Sequence, residues 1–206
     1  MRRALVAVCA VALFAAGCAP SAKGDKQPFI VDQVGPAKIV VDTPELRALK
    51  KTTDVPDCQP GTGSSDLPDV TLPCLGGGTA VDLRSLSGPM VINVWAYWCT
   101  PCRDEMPKYA DFARQHPDVS VVGIDYGDTN PDEALGLARD SGVAFPLLAD
   151  PNGLTGGRKL AVNPDRTLPI IVLVAADGSI AWQGYQQIHD VAELEGLVRE
   201  HLGIDL

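Results

Sequence analysis

A Cys-x-x-Cys motif between an apolar strand and a helix constrains the fold of this 206-residue chain more than any other feature. Met90–Trp95 is a nearly continuous apolar run of strand length, and an amphipathic stretch extends from Cys99 to about Arg114. A second apolar strand, Ser120–Asp125, precedes a helix that starts near Asn130. Alternating strands and helices of this kind predict parallel strand pairing in an α/β fold.

The rest of the folded region has a simpler pattern. Ile170–Val174 and Ile180–Tyr185 are strand-like runs separated by an Asp-Gly turn, which predicts a hairpin. Asp190–Leu202 carries apolar residues at helical spacing, so we expect a closing helix there. Upstream of the motif, Thr43 followed by proline predicts a short helix that runs to about Lys51.

The N-terminus is typical of an export signal. Arg2 and Arg3 precede an unbroken apolar run, Ala4–Ala16, which is too short to span a bilayer comfortably as a helix. The run leads into Leu-Phe-Ala-Ala-Gly-Cys18, which resembles the lipobox of bacterial lipoproteins. That resemblance implies cleavage before Cys18 and lipidation of its thiol. An ordinary secretory signal or an uncleaved anchor is the alternative.

The predicted export signal determines the expected domain layout and the charge of the mature chain. We expect a signal peptide in residues 1–17, a lipid anchor, tether and N-terminal extension in residues 18–66, and the folded domain in residues 67–206. The formal charge of the whole chain is −9, and loss of two arginines with the signal makes the mature chain more acidic. Nucleic acid is therefore excluded as a partner, and no polybasic stretch holds the chain on anionic lipid.

The remaining cysteines predict two disulfides in an exported chain. Cys9 lies in the signal peptide and Cys18 is assigned to lipid, which leaves four of the six cysteines. Of the three connectivities, we favour Cys58–Cys74 with Cys99–Cys102, because each pair is then local. No feature of the sequence near Cys58 or Cys74 lowers a thiolate pKa, so we expect their disulfide to be structural and inert.

Cys99 is the candidate catalytic nucleophile. Unpaired backbone N–H groups and the positive end of the helix dipole favour its thiolate and lower its pKa. Cys102, three residues later on the same helical face, is the candidate resolving thiol. The reactive group would be the Cys99–Cys102 disulfide itself, so we expect no separate cofactor and no metal.

Around these cysteines the sequence resembles the thioredoxin superfamily and, within it, the TlpA/ResA-like (DsbE-like) exported thiol–disulfide oxidoreductases. The similarity covers roughly Val70–Leu206. It depends on the aromatic run Trp95-Ala-Tyr-Trp98, on Pro107 in the following helix, and on Thr167-Leu168-Pro169 ahead of the hairpin. The resemblance implies a thioredoxin fold, with a central mixed β-sheet flanked by helices, and a cis peptide bond before Pro169.

The resemblance also implies where a substrate binds and which group moves a proton. The substrate groove would be bordered by Trp98, Thr100, Pro101, Leu168 and Pro169, with the Leu168 backbone offering strand-like hydrogen bonds. Thioredoxin has a buried aspartate on the strand before the motif, but this chain has Asn93, which cannot take a proton. Glu105 is the candidate replacement, and the alternative is that it is simply a solvated or first-turn helix residue with no redox role.

The resemblance implies a monomeric extracytoplasmic enzyme, anchored to the cell membrane by lipid. Its substrates would be protein thiols and disulfides, apocytochrome c among them, and a membrane thiol protein would supply electrons. We favour the reductase direction over an oxidase for secreted proteins. A reduction-potential difference of about 30 mV corresponds to only about 1.4 kcal/mol, so the residues alone do not decide the direction.

Other functions with related motifs fit the residues less well. A zinc site would need Cys58 and Cys74 as its other half, and a Sco-type copper-delivery module would need three residues between its cysteines and a distal histidine. A peroxiredoxin would need a threonine where Ala96 precedes Cys99. A non-enzymatic binding module remains the alternative from another functional class.

Overall fold

The computed structural model describes residues 39–156, 160 and 167–206. The predicted signal peptide, the lipidation site Cys18 and the predicted tether up to residue 38 lie outside the described residues. In the part of the chain that is described, no helix is both long enough and apolar enough to cross a membrane.

The described residues form short elements in the order expected for an α/β domain. The helices are α1 (Pro44–Lys50), α2 (Thr100–Gln115), α3 (Pro131–Asp140) and α4 (Val191–Leu202). The strands are β1 (Thr71–Leu72), β2 (Val81–Asp82), β3 (Met90–Trp95), β4 (Ser120–Tyr126), β5 (Leu147–Asp150), β6 (Ile170–Val174) and β7 (Ile180–Tyr185).

Five of the strands form one mixed sheet in the order β5-β4-β3-β6-β7. Strands β3, β4 and β5 pair in parallel, and Met90 is opposite Ser120. Strand β6 pairs antiparallel with β3 on one side and with β7 on the other. The parallel pairing, the hairpin and the mixed sheet predicted from the sequence are therefore confirmed.

The central position of β3 explains its apolar sequence. All six of its residues are buried, including Asn93 and Trp95. Helix α2 packs against α4, and α1 packs against α3, so that helices flank the sheet. Trp95 needs the glycine on the neighbouring strand, because a Cβ added at Gly123 would lie 3.0 Å from its indole nitrogen and 2.5 Å from Leu147.

The described part of the predicted N-terminal extension packs into the domain, since Ile39–Leu206 forms one compact unit. Thr43 caps α1 by accepting the Leu46 N–H at 3.2 Å, as the sequence predicted. The Leu46 side chain is buried, and the Val41 carbonyl accepts the Gly76 N–H at 2.9 Å. Residues 39–66 therefore belong to the same compact unit as residues 67–206 and contribute buried side chains to its core.

The Cys58–Cys74 disulfide ties this segment to the edge of the sheet. Its two Cα atoms are 5.7 Å apart, and Cys74 forms an isolated bridge with Leu148 of the edge strand β5. The sequence predicts that the pair pins this segment to the edge of a sheet that begins at Val70. The strand next to Val70, β1, instead pairs with β2 in a separate two-stranded sheet.

The hairpin turn supplies a stability test. Gly178 has a φ of 86°, and a Cβ added there would lie 1.9 Å from the Ser64 carbonyl oxygen. Gly178→Ala should therefore lower the free energy of unfolding by about 1–3 kcal/mol. Gly136, inside α3, has nothing within 4 Å of an added Cβ. Gly136→Ala should raise the same free energy, by about 0.5–1 kcal/mol.

Denaturant titration of the two variants beside the wild-type protein measures both effects. Equal destabilisation by the two substitutions would contradict the turn geometry.

Candidate redox site

Cys99 is the N-cap residue of α2. It follows β3 after a three-residue turn, and its Sγ accepts the backbone N–H of Cys102 at 3.2 Å. Its sulfur therefore faces the unpaired N–H groups and the positive end of the helix dipole. Both influences stabilise a thiolate more than a thiol, so the structure provides the environment that lowers a cysteine pKa.

Cys99 and Cys102 form a disulfide whose Cα atoms are 5.3 Å apart. Cys102 is completely buried, whereas Cys99 is 5% exposed between the exposed residues Trp98 and Thr100. Cys99 is therefore the more accessible of the two cysteines, and Cys102 is the interior partner. The roles of nucleophile and resolving thiol predicted from the sequence require an asymmetry of this kind.

Glu105 lies one helical turn after Cys102, and its side chain is completely buried. Its Oε2 accepts the backbone N–H of Ile188 at 3.0 Å, while Oε1 has no partner among the described residues. Burial raises the pKa of this carboxyl to about 8, and the Ile188 hydrogen bond opposes the shift only in part. The expectation that this side chain is solvated is therefore wrong, and Glu105 also lies beyond the first turn of α2.

The helix face that carries Glu105 also buries Tyr109. The Tyr109 hydroxyl has no hydrogen-bond partner within the described part of the chain. Burial, and to a lesser extent the charge of Glu105, raises the pKa of Tyr109 well above its ordinary value. Asn93 on β3 is equally buried, and it cannot titrate. Glu105 is thus the group on this face whose protonation changes near neutral pH.

The turn before Cys99 is held by contacts that the sequence did not predict. Asp128 accepts the Tyr97 N–H at 2.7 Å, and Arg103 lies over the Tyr97 ring at 5.5 Å from its centroid. The Gln187 side chain lies 3.5 Å from the Pro101 carbonyl oxygen. Asp128 and Gln187 are 31 and 86 residues away from their partners, so no local pattern could have identified these two contacts.

The Leu168–Pro169 peptide bond is cis, as the resemblance implied. Ile170, the next residue, pairs with Val94 near the end of β3. The cis peptide therefore lies at the same end of the sheet as the turn that leads to Cys99. The side chains of Leu168 and Pro169 are buried, so their contribution to a groove would come from the backbone.

Two strand-end aspartates differ in their surroundings. Asp150 accepts the backbone N–H groups of Leu154 and Thr155 at 2.7 and 2.9 Å, so its carboxylate caps the turn that follows β5. Asp125 is buried, and its Oδ1 has no partner among the residues described. Burial and the nearby charges of Asp128 and Asp150 raise its pKa well above the ordinary value.

The histidines that a metal-delivery module would need are engaged elsewhere. His116 lies 2.8 Å from Glu195, His189 lies 3.3 Å from Glu193, and His201 stacks on an indole ring. The described residues contain no cluster of three or more His, Cys, Asp or Glu side chains that could hold a metal.

Comparison with known proteins places this geometry in a family. Residues 64–183 match the model of the AhpC/TSA family. The chain is 34% identical over 110 residues to the thiol:disulfide interchange protein CycY of Rhizobium leguminosarum bv. viciae, covering 52% of this chain and 55% of that protein. It is 39% identical over 67 residues to DsbE of Allochromatium vinosum, covering 32% and 36%. The chain thus spans about half, or less, of the length of these curated relatives.

Solved structures show the same fold. A secreted Mycobacterium tuberculosis disulfide oxidoreductase homologous to Escherichia coli DsbE matches with a TM-score of 0.55 and 25% identity, over 64% of this chain and 96% of that one. A secreted thiol-disulfide isomerase from Corynebacterium glutamicum matches with a TM-score of 0.53 and 22% identity, over 66% and 83%. The second likeness shows the fold alone.

The family model covers more than half of the chain, although the peroxiredoxin threonine is replaced by Ala96 before Cys99. The chain therefore belongs to the AhpC/TSA family, has the thioredoxin-like fold, and is similar within that family to thiol:disulfide interchange proteins of the DsbE and ResA type.

Proposed function

We propose that the chain is an extracytoplasmic protein-disulfide oxidoreductase in which Cys99 and Cys102 exchange electrons with protein substrates. The observation that carries the proposal is the disulfide at the start of α2, with Cys99 as N-cap and Cys102 buried behind it. The names of CycY and DsbE, both thiol:disulfide interchange proteins, support the same chemistry.

In the reductase direction the reduced site acts in two steps. The Cys99 thiolate attacks a substrate disulfide, forms a mixed disulfide, and releases one substrate sulfur as a thiolate that takes up a proton. The Cys102 thiol then loses its proton and attacks the Cys99 sulfur. The second substrate sulfur leaves, the Cys99–Cys102 bond forms, and two electrons have passed to the substrate.

Glu105 is proposed to move the proton of the second step. Cys102 is buried, so its thiol cannot give its proton directly to water. Glu105 is three residues further along the same helical face, and its pKa of about 8 is close to the ordinary thiol value of about 8.5. Proton transfer between groups of similar pKa works in either direction, which suits a site that is oxidised and reduced in turn.

The substrate groove is proposed to follow the exposed edge of this site. The Trp98 side chain is 45% exposed beside Cys99, and Thr100 and Pro101 begin the helix. The Leu168 backbone, ahead of Pro169, would pair with an extended substrate segment as a strand does.

The proposal also includes the direction of electron transfer, the protein partners and the lipid anchor. We infer a reductase that acts on apocytochrome c and is recharged by a membrane thiol protein, with lipid on Cys18 holding it to the outer side of the cell membrane. The support is the resemblance around the Cys-Thr-Pro-Cys motif and the lipobox-like sequence before Cys18. Thiol oxidation of secreted proteins is the alternative direction.

The assignment of nucleophile and resolving thiol is tested by trapping. Cys102→Ser should accumulate mixed disulfides on Cys99, because the second step has lost its sulfur. Cys99→Ser should accumulate none and should abolish reduction of insulin or of glutathione disulfide. Mass spectrometry of the alkylated protein identifies the trapped species. Equal trapping by both variants would show that the roles are assigned incorrectly.

The role of Glu105 is tested by Glu105→Gln, with Asp104→Asn at the exposed neighbouring residue as the matched control. Loss of the proton acceptor should slow the second exchange step by about 10²-fold or more. The control should leave the rate unchanged. Rapid mixing of the reduced variants with a fluorescent peptide disulfide measures that step separately from the first.

The same variant tests the raised pKa of Glu105. A carboxyl whose pKa rises on folding binds its proton more tightly in the folded state. Stability is therefore lost as pH increases from about 4.5 towards 8, by up to about 1.4 kcal/mol per pH unit for one proton. Glu105→Gln should remove this component of the slope, measured by denaturant titration of the oxidised protein. Parallel profiles for the variant and the wild-type protein would contradict the raised pKa.

A further inference from the structure

The ammonium group of Lys50 lies beside the second disulfide. Its Nζ is 3.3 Å from Cys74 Sγ, 3.0 Å from Asp57 Oδ1 and 2.9 Å from the Gly77 carbonyl oxygen. The Lys50 side chain is 7% exposed, whereas that of Asp57 is 73% exposed. The expectation that no group near Cys58 or Cys74 stabilises a thiolate is therefore wrong.

The contacts of Lys50 favour reduction of the pair. An ammonium group has three N–H donors, and the structure directs them to three acceptors, one of which is Cys74 Sγ. A disulfide sulfur is a weak acceptor, but a thiolate is a strong one for a charged donor. The backbone N–H of Cys58 also points to Cys74 Sγ at 3.2 Å. Reduction would thus turn two weak contacts into two strong ones.

The surroundings of Cys58 favour a thiol over a thiolate, in contrast to those of Cys74. Its Sγ lies 3.3 Å from the Leu147 carbonyl oxygen, an acceptor that repels a thiolate and receives a hydrogen bond from a thiol. The reduced pair would therefore consist of a Cys58 thiol and a Cys74 thiolate, each with a partner already in place.

We propose that Cys58–Cys74 is a second redox-active disulfide, which a dithiol reduces through Cys58 and whose leaving group is the Cys74 thiolate held by Lys50. Stabilisation of the reduced form makes a disulfide easier to reduce, and a leaving thiolate with a lowered pKa departs faster. A purely structural bridge has neither property.

A reductant with two thiols would open the Cys58–Cys74 disulfide in two exchange steps. One thiolate of the reductant attacks Cys58 Sγ, the Cys58–Cys74 bond breaks, and Cys74 leaves as a thiolate paired with Lys50. The second thiolate of the reductant then attacks the mixed disulfide, and Cys58 leaves and takes up a proton. The reductant ends as its own disulfide, and the protein has gained two electrons and one proton.

The space beside Cys58 limits the size of a reductant that can reach its sulfur. Cys58 lines an apolar crevice of about 80 Å³ with Val81, Leu86, Val122 and Leu148. A crevice of this size admits a thiol on a short flexible chain but not a folded surface. The class of reductant that fits is a small dithiol, for which dithiothreitol is the probe. Reduction would cut the covalent tie between Cys58 and Cys74, and Cys74 is the residue that forms a bridge with Leu148 of strand β5.

The test compares Lys50→Met with Lys51→Met, the exposed neighbour in sequence. The full chain is equilibrated with graded ratios of reduced to oxidised dithiothreitol at pH 7 and alkylated, and each cysteine pair is quantified by peptide mass spectrometry. Lys50→Met should lower the equilibrium constant for reduction of Cys58–Cys74 at least tenfold, while Lys51→Met and the Cys99–Cys102 pair stay unchanged. General loss of folding would make the disulfide easier to reduce, so it cannot imitate this result.

A second measurement needs no variant. Because the wild-type pair is proposed to take up one proton while dithiothreitol gives up two, reduction of Cys58–Cys74 should become more favourable as pH rises from 6 to 8, approaching tenfold per pH unit. A pH-independent equilibrium in the wild-type protein would overturn the proposal. So would a folded Lys50→Met protein whose pair is reduced at the same ratio as in Lys51→Met.

Discussion

The hydrogen bond from the Cys102 N–H to Cys99 Sγ fixes the place where strand, helix and sulfur meet. Strand β3 is held between β4 and β6, and its six buried residues leave it no freedom to shift. The helix that follows must therefore start at one position, with its unpaired N–H groups at Cys99. The geometry of the sheet thus determines which cysteine lies at the helix N-terminus and which is enclosed.

Enclosure of Cys102 calls for a proton acceptor in the interior. We propose Glu105 for that role, and its burial has a cost in stability. A carboxylate loses its hydration when it is buried, and a single N–H from Ile188 does not replace the water it has lost. The consequence is a pKa of about 8 in place of the ordinary 4.5. The raised pKa that destabilises the fold at high pH is also the property on which the proposed proton exchange with the Cys102 thiol depends.

Much of the fold could be predicted because its signals are local. The apolar run of β3, the Thr43 cap and the turn at Gly178 each act over a few residues. The long-range contacts beside the two disulfides could not be predicted, since Ile188 is 83 residues from Glu105 and Lys50 is 24 residues from Cys74. Sequence patterns identify which groups are reactive, but only packing decides which partner lies beside them.

The thiolate pKa of Cys99 tests the account most directly. Iodoacetamide labelling of the reduced protein across a pH series, resolved by peptide mass spectrometry, follows Cys99 separately from the other cysteines. The helix N-terminus predicts a Cys99 pKa well below the ordinary thiol value of about 8.5, with Cys102 unlabelled in the same range. A Cys99 pKa at or above that value, or labelling of Cys102 before Cys99, would contradict the account.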